Sequence, residues 1–330
     1  LAKQRFNQSA KQNSMRIETK QIRAPEDAQG ARLDAWLAAR FPVRSRNEWQ
    51  KRIAAGEVKL NGLQPRASRR LQAGDRVEFS YTMRAEPEVS TEIKILFEDA
   101  DYLALDKPPG LPVHPSGIYK TQTVTTLLMA RNVLNEPHLL HRLDRETSGV
   151  LLLAKNRRAA ALFQKILRQG QIEKTYLVAV EGNFVNPLDA AGFIYRLPGS
   201  RLPRQRFFSA EAPPANALEV RHCRTLLRPV EHRSGISLVE GTLLTGRMHQ
   251  IRATMHSLGF PVIGDKLYGV DPTLYFTFAD EQMTPADWQK LRITRSALHC
   301  SRMRLQHPLT GADWALEAPL PDDMAALFSQ

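Results

Sequence analysis

The charged, turn-rich stretch His141-Arg142-Leu143-Asp144-Arg145-Glu146-Thr147-Ser148-Gly149 runs straight into the apolar segment Val150-Leu151-Leu152-Leu153-Ala154. A short unbroken apolar run behind a glycine reads as a strand buried on both faces. Any fold of this chain must therefore hold Asp144, with an arginine close on either side, at the rim of a core. Nearby positive charge lowers a carboxylate's pKa and keeps it ionised at neutral pH. Such a group can act as a nucleophile or a base, and the flanking guanidinium forks match phosphate oxygens. The spacing alone leaves a structural ion pair equally open, because ion-pair networks perturb carboxylates in the same way.

Strand and helix signals alternate on either side of this point. Gly149–Ala154 reads as a buried strand. Residues 157–169 read as a helix, with Leu162, Phe163, Ile166 and Leu167 on its apolar side and Gly170 as the stop. Glu173–Glu181 reads as a strand whose alternation puts Lys174, Tyr176 and Val178 on one face. Residues 247–258 read as a helix with Met248, Ile251, Met255 and Leu258 inward, which sets Arg247 in its first turn, facing a cleft. The pattern alone gives an α+β class, with a parallel sheet still open. No glycine-rich nucleotide-binding loop and no G-x-S-x-G elbow occurs.

The length of 330 residues suggests two domains, and a net charge of +12 suggests a polyanionic partner. Cys223 and Cys300 are the only cysteines and lie far apart, so neither a disulfide framework nor zinc-ligand spacing is indicated. That usage suits a reducing cytosol. No apolar run approaches the roughly 20 residues of a membrane span. Residues 1–14 are polar and without period, and read as a disordered or non-native tail ahead of Met15.

Residues 31–80 have the marks of a separate module within 15–81. Leu33, Trp36, Leu37 and Phe41 line one face of a helix that Pro42 ends. Ser45 with Glu48 forms a capping-box pattern ahead of a second helix carrying Trp49 and Ile53, with Gly56 as its stop. Val58-Lys59-Leu60 leads into an Asn61-Gly62 turn, and Gly74–Phe79 reads as a closing strand. This stretch holds 11 Lys+Arg against 5 Asp+Glu, half the net charge of the chain. Arg44, Arg46, Lys51 and Arg52 cluster around the second helix and are the expected phosphate contacts. Residues 82–94 are polar and read as a linker, leaving 95–330 as the second domain.

The ten-residue stretch His141–Val150 resembles the HRLDRxTSG signature of the RluA-type pseudouridine synthases, the branch that includes large-subunit ribosomal RNA enzymes. Glu173-Lys174-Thr175-Tyr176-Leu177 resembles the family's K-x-Y motif. Leu244-Thr245-Gly246-Arg247-Met248-His249-Gln250-Ile251-Arg252 resembles its TGR-x-HQ-[IL]-R motif. The likeness begins near Ile95 and includes the lysine-proline loop Asp106–Pro115. The segments RLDAWL, SRNEWQKRIAAGEVKLNG and LQAGDRVEF resemble the S4 RNA-binding domain.

The resemblance implies a pseudouridine synthase core, a mixed and mostly antiparallel sheet with flanking helices and a basic central cleft, preceded by a small α/β S4-like domain. It implies cofactor-free, metal-free isomerisation of uridine in RNA. Asp144 then matches the catalytic carboxylate, and Arg142 the arginine that pushes the target base out of the stack. Tyr176 matches the tyrosine that stacks on the uracil and is a candidate to take a proton from C5, and Arg247 matches the arginine that pairs with the aspartate. Lys107, Arg145 and Lys174 are expected RNA contacts, while His141 and His249 are expected to be structural. The expected partner is RNA, with large-subunit ribosomal RNA favoured over transfer RNA. The chain is expected to act in the cytoplasm as a monomer, with no obligate protein partner. The competing readings are a non-catalytic S4-type RNA-binding protein and a glycosidase that stops after bond cleavage. Pseudouridine, free uracil or unchanged RNA would tell these apart.

Overall fold

A computed structural model describes residues 15–41, 44–84, 86–200, 202 and 204–329. The tail at 1–14 and the helix stop at Pro42 lie outside these residues. The chain forms two compact units that divide between Pro87 and Glu88.

The first unit comprises β1 (Met15–Arg23), α1 (Leu33–Arg40), α2 (Arg46–Ala54), β2 (Val58–Leu60) and β3 (Arg76–Arg84), with the antiparallel sheet order β1-β3-β2. Leu33 and Leu37 of α1, Trp49 and Ile53 of α2, and Val58 and Val77 of the sheet are essentially inaccessible and form one core. The capping box is present: Ser45 Oγ accepts from Glu48 N, and Glu48 accepts from Ser45 N at 2.7 Å. Asn61 and Gly62 both have positive φ, as a tight two-residue turn of this type requires. Two features escaped the sequence reading. Strand β1 pairs with β3 along its full length, from Met15↔Arg84 to Arg23↔Arg76. Consequently residues 82–84, read as linker, are strand.

The second unit comprises β4 (Lys94–Glu98), β5 (Tyr102–Lys107), α3 (Val124–Ala130), β6 (His138–Leu139), β7 (Ser148–Ala154), α4 (Arg157–Arg168), β8 (Glu173–Glu181), β9 (Leu188–Arg196), β10 (Phe207–Ser209), β11 (Leu218–Arg233), β12 (Ile236–Leu243) and α5 (Gln250–Ser257). It continues with α6 (Leu274–Ala279), α7 (Pro285–Leu291), β13 (Leu298–Gln306), β14 (Asp313–Glu317) and α8 (Asp322–Ala325). Its sheet runs β10-β9-β11-β12-β8-β13-β7-β5-β4, with β14 on β13 and β6 on β7. Every pairing is antiparallel except β13 with β7. The mixed, mostly antiparallel sheet with flanking helices is therefore present.

All seven residues of β7 are buried, as the apolar run demands. Each aliphatic side chain among Val150–Leu153 removed from water contributes on the order of 1.5–3 kcal/mol, an upper range because unfolded chains already bury some surface. The strand lies deep in the sheet, so its N-terminal approach cannot drift. Gly149 sets the contact with β13. Its φ is +104°, and a Cβ there would fall 2.2 Å from the Cys300 carbonyl oxygen. Both the backbone conformation and the space exclude a side chain. Gly149→Ala should therefore destabilise the protein by about 3 kcal/mol or more. That corresponds to a Tm lower by roughly 6 °C or more for a domain of this size. A calorimetric Tm unchanged within error would contradict the close approach.

Candidate active site

The parallel register Cys300↔Gly149 on one side of β13 and the antiparallel register Cys300↔Tyr176 on the other bring two motifs to one place. The loop ahead of β7 delivers Asp144, β8 delivers Tyr176, and the start of α5 closes the site. Together they form a small cleft lined by Arg142, Leu143, Asp144, Thr147, Tyr176, Leu243, Arg247, His249, Gln250, Ile251, Arg252 and Leu298.

Asp144 keeps about a third of its side chain exposed (35%), at the cleft floor, and its Oδ2 accepts from Arg252 Nη1 at 2.7 Å. Burial works against its charge, but the Arg252 cation and its hydrogen bond outweigh that, so the carboxyl is held below its ordinary pKa. Arg252 is itself gripped from behind. Its Nε and Nη2 donate to Asp265 at 2.5 and 2.9 Å, a bidentate pair. Asp265 is buried and accepts from the Leu267 and Tyr268 amides at 2.9 Å each. Despite burial, these donors and Arg252 bring its pKa down to about 2. The Arg252 guanidinium also lies 5.0 Å from the Tyr268 ring centroid.

The arginine on Asp144 is thus Arg252, where the sequence reading put Arg247. The cause is a shift in the helix start. α5 begins at Gln250, because His249 adopts a left-handed conformation with φ 57° and stops the helix short of Arg247. Gln250 locks this turn: its Oε1 accepts from Thr245 Oγ1 and Arg247 N, and its Nε2 donates to Arg224 O and Thr225 Oγ1. Arg252 then falls in the first turn and points at Asp144. Arg247 lies in the preceding loop, lines the cleft, and donates from Nε to the His222 carbonyl at 3.0 Å. Met248, expected inside, is exposed.

Arg142 is exposed at the cleft rim. Tyr176 is only 6% exposed, and burial pushes its phenol well above the ordinary pKa, so the hydroxyl keeps its proton. His249 Nε2 is 3.8 Å from Asp144 Oδ2, and its Nδ1 bonds Tyr268 OH at 2.9 Å. Burial lowers its pKa to about 4, which outweighs the pull of Asp144. The imidazole is therefore neutral at physiological pH, and the close approach is not an ion pair there. His141 is buried and uncharged, with Nε2 accepting from the Leu152 amide. Both histidines hold backbone and motif loops, as expected.

Three expected RNA contacts sit elsewhere. Lys107 is completely buried, and its Nζ donates to the carbonyls of Pro108, Leu111 and Arg145 at 2.7, 3.0 and 3.1 Å. Burial brings its pKa down to about 7, while three carbonyl acceptors match the three N–H bonds of an ammonium. The geometry favours the charged form, and the side chain ties two loops together where no phosphate can reach it. Arg145 is shared between Tyr119 OH at 2.8 Å and Glu146 at 3.0 Å. Lys174 is half-buried, with its pKa lowered by burial. In the first unit, Arg46 bonds the buried Asp34 at 3.1 Å, and Arg52 pairs with Glu57 at 2.7 Å. Both are partly spent on the fold, whereas Lys51 is exposed and Arg44 half-buried.

Sequence comparison decides the family. The chain is 31% identical over 317 residues to ribosomal large subunit pseudouridine synthase D of Xanthomonas campestris pv. campestris, spanning 94% of this chain and 92% of that relative. The chain belongs to the RNA pseudouridine synthases. This synthase is also 30% identical to ribosomal large subunit pseudouridine synthase C of Pasteurella multocida, over 98% of its own length and 97% of the relative's. Residues 101–257 match the RNA pseudouridylate synthase family, and residues 31–77 match the S4 domain. The fold agrees: human RNA pseudouridylate synthase domain containing 1 superposes with a TM-score of 0.56 at 22% identity, covering 71% of this chain and 86% of that one. The synthase is an isomerase with an N-terminal S4 domain.

Arg252 and Asp265 were the residues of the site that sequence reasoning missed. Arg252 was visible as the last residue of the third motif, but assigning it required the helix start. Asp265 carried no signal beyond its place in Gly264-Asp265-Lys266. If Asp265 orients Arg252, Asp265→Asn should slow turnover and move the acid limb of the rate profile to higher pH. Loss of the Arg252 contact would let the Asp144 pKa rise. If Arg252 stayed in place, removing the Asp265 charge would lower that pKa instead. A pH–rate profile of the variant that shifts to lower pH would contradict the orienting role.

Proposed function

We propose that this synthase isomerises uridines in large-subunit ribosomal RNA, with Asp144 as the catalytic carboxylate. The observation that carries the assignment is the Arg252–Asp144 contact at 2.7 Å on the cleft floor. It keeps one carboxylate ionised and aimed in a site otherwise lined by neutral or cationic groups. The reaction breaks the C1′–N1 bond, forms a C1′–C5 bond, and moves one proton from C5 to a uracil nitrogen. Atoms and charge balance without a further reactant. Asp144 supplies the negative charge that the ribose or uracil encounters when the bond breaks. Tyr176 offers a ring beside it for the uracil and enters the reaction as a neutral phenol, not as a base. Arg142, at the rim, is placed to enter the stack as the base leaves it, a step that costs a few kcal/mol in structured RNA. Arg247 lines the same cleft and contacts the substrate there.

The ribosomal RNA target rests on the names of the full-length relatives and on the basic S4 domain. Phosphate contacts there would position the RNA without reading its sequence. The test is to map pseudouridine in large-subunit ribosomal RNA transcripts incubated with the wild-type protein and with Asp144→Asn. The wild type should convert defined uridines. The variant should be slower by about 10³-fold or more, with RNA affinity changed by no more than roughly threefold. Variant turnover within tenfold of wild type would remove Asp144 from its role. Conversion of transfer RNA but not of ribosomal RNA would overturn the target.

A further inference from the structure

A cluster of positive charge in the second unit lies away from the cleft, on α4. Its sequence RRAAALFQKILR contains four cations and no acid. At 100° per residue, Arg157, Arg168, Lys165 and Arg158 fall within an arc of roughly 100°. Ala159 and Phe163, on the opposite side, are fully buried in the core. All four cations are exposed. Arg157 pairs with Glu136 at 3.2 Å, but among the described residues Arg158, Lys165 and Arg168 have no side-chain partner. Alongside this arc runs an open groove lined by Met129, Pro137, Leu139 and Ala160 together with His138 and Glu136, the acid that pairs with Arg157.

From this we infer that α4 and its groove form a second RNA-contact surface, which takes a segment flanking the target uridine. The reading rests on the chain being an RNA pseudouridine synthase. Three cations without an acidic partner on one helix face fit a phosphate backbone, and the partly apolar groove beside them offers surface to unpaired bases. A lipid surface is disfavoured, because the apolar side of α4 is already packed in the core and only charge faces outward. The surface does not reach the reacting nucleotide. Asp144 precedes β7 and α4 follows it, and seven extended residues span roughly 20 Å. The RNA held there is therefore flanking sequence, and its contribution goes to affinity and choice of site, not to chemistry.

The test neutralises the three free cations together, as Arg158→Gln, Lys165→Gln and Arg168→Gln in the full-length protein. All three are exposed, so the fold should survive, and a thermal melt checks this. Binding to a large-subunit ribosomal RNA transcript is measured across a salt series, alongside single-turnover rates at saturating protein. The slope of log affinity against log salt should become shallower by about 2, at about 0.7 per phosphate on single strands. Affinity at about 0.15 M salt should fall on the order of tenfold or more. The saturated rate should stay within twofold of wild type. An unchanged slope and affinity would overturn the surface, as would a collapsed saturated rate with normal binding. Equal loss of binding to anionic vesicles would mark a lipid site instead and also overturn it. Pseudouridine formation by the wild type in the same samples reports on the ribosomal target. A failure there leaves the binding comparison to decide the surface separately.

Discussion

Arg252 stands between two carboxylates and divides its nitrogens between them. Nε and Nη2 go to Asp265, which is buried and fixed by two backbone amides, and Nη1 goes to Asp144 in the cleft. The planar guanidinium fork makes this division rigid in a way a lysine could not. One carboxylate anchors the cation and the other is aimed by it. A buried ion pair is weak evidence for stability, since desolvation offsets its attraction. Here its consequence is positional and electrostatic. The partly exposed Asp144 remains ionised, and its orientation is inherited from the backbone around Leu267 and Tyr268.

The sheet makes that arrangement possible. β13 pairs with β7 through Gly149 and with β8 through Tyr176, so one strand holds the two motif-bearing strands at fixed spacing. Gly149 permits the approach, and the fully buried β7 anchors it. Around the catalytic loop, Lys107 caps three carbonyls, and Glu146 accepts from Arg145, Lys266 and the Ser296 amide. Much of the charge near Asp144 therefore builds the loop and is not available to a substrate.

How far the sequence could be read followed from the range of the interactions involved. Local signals were reliable: the capping box at Ser45, the Asn61-Gly62 turn, the strand Glu173–Glu181 and the helix α4 ahead of Gly170 all lie where short-range rules put them. The loop carrying Asp144 and the strand carrying Tyr176 do share one cleft. Misreadings arose where a residue's role depends on distant partners. Arg247 and Arg252 are both helix-compatible cations in one motif, and only the left-handed His249 and the Gln250 network determine which one faces Asp144. Lys107 and Arg145 looked like phosphate ligands because charge is visible in sequence, whereas the carbonyls and the phenol that absorb their hydrogen bonds are not. Strand β1 was missed because its pairing with β3 spans more than fifty residues of chain.

The central claim is that Arg252 holds Asp144 ionised below its ordinary range. The most direct measurement is the carboxyl carbon titration of Asp144 by NMR in protein labelled at aspartate, with the resonance assigned by its absence in Asp144→Asn. An unperturbed aspartate titrates at about 3.9. The account predicts a midpoint below that value in the wild type and an upward shift in Arg252→Met. A wild-type midpoint above the ordinary range, or one that does not move when Arg252 is replaced, would contradict it.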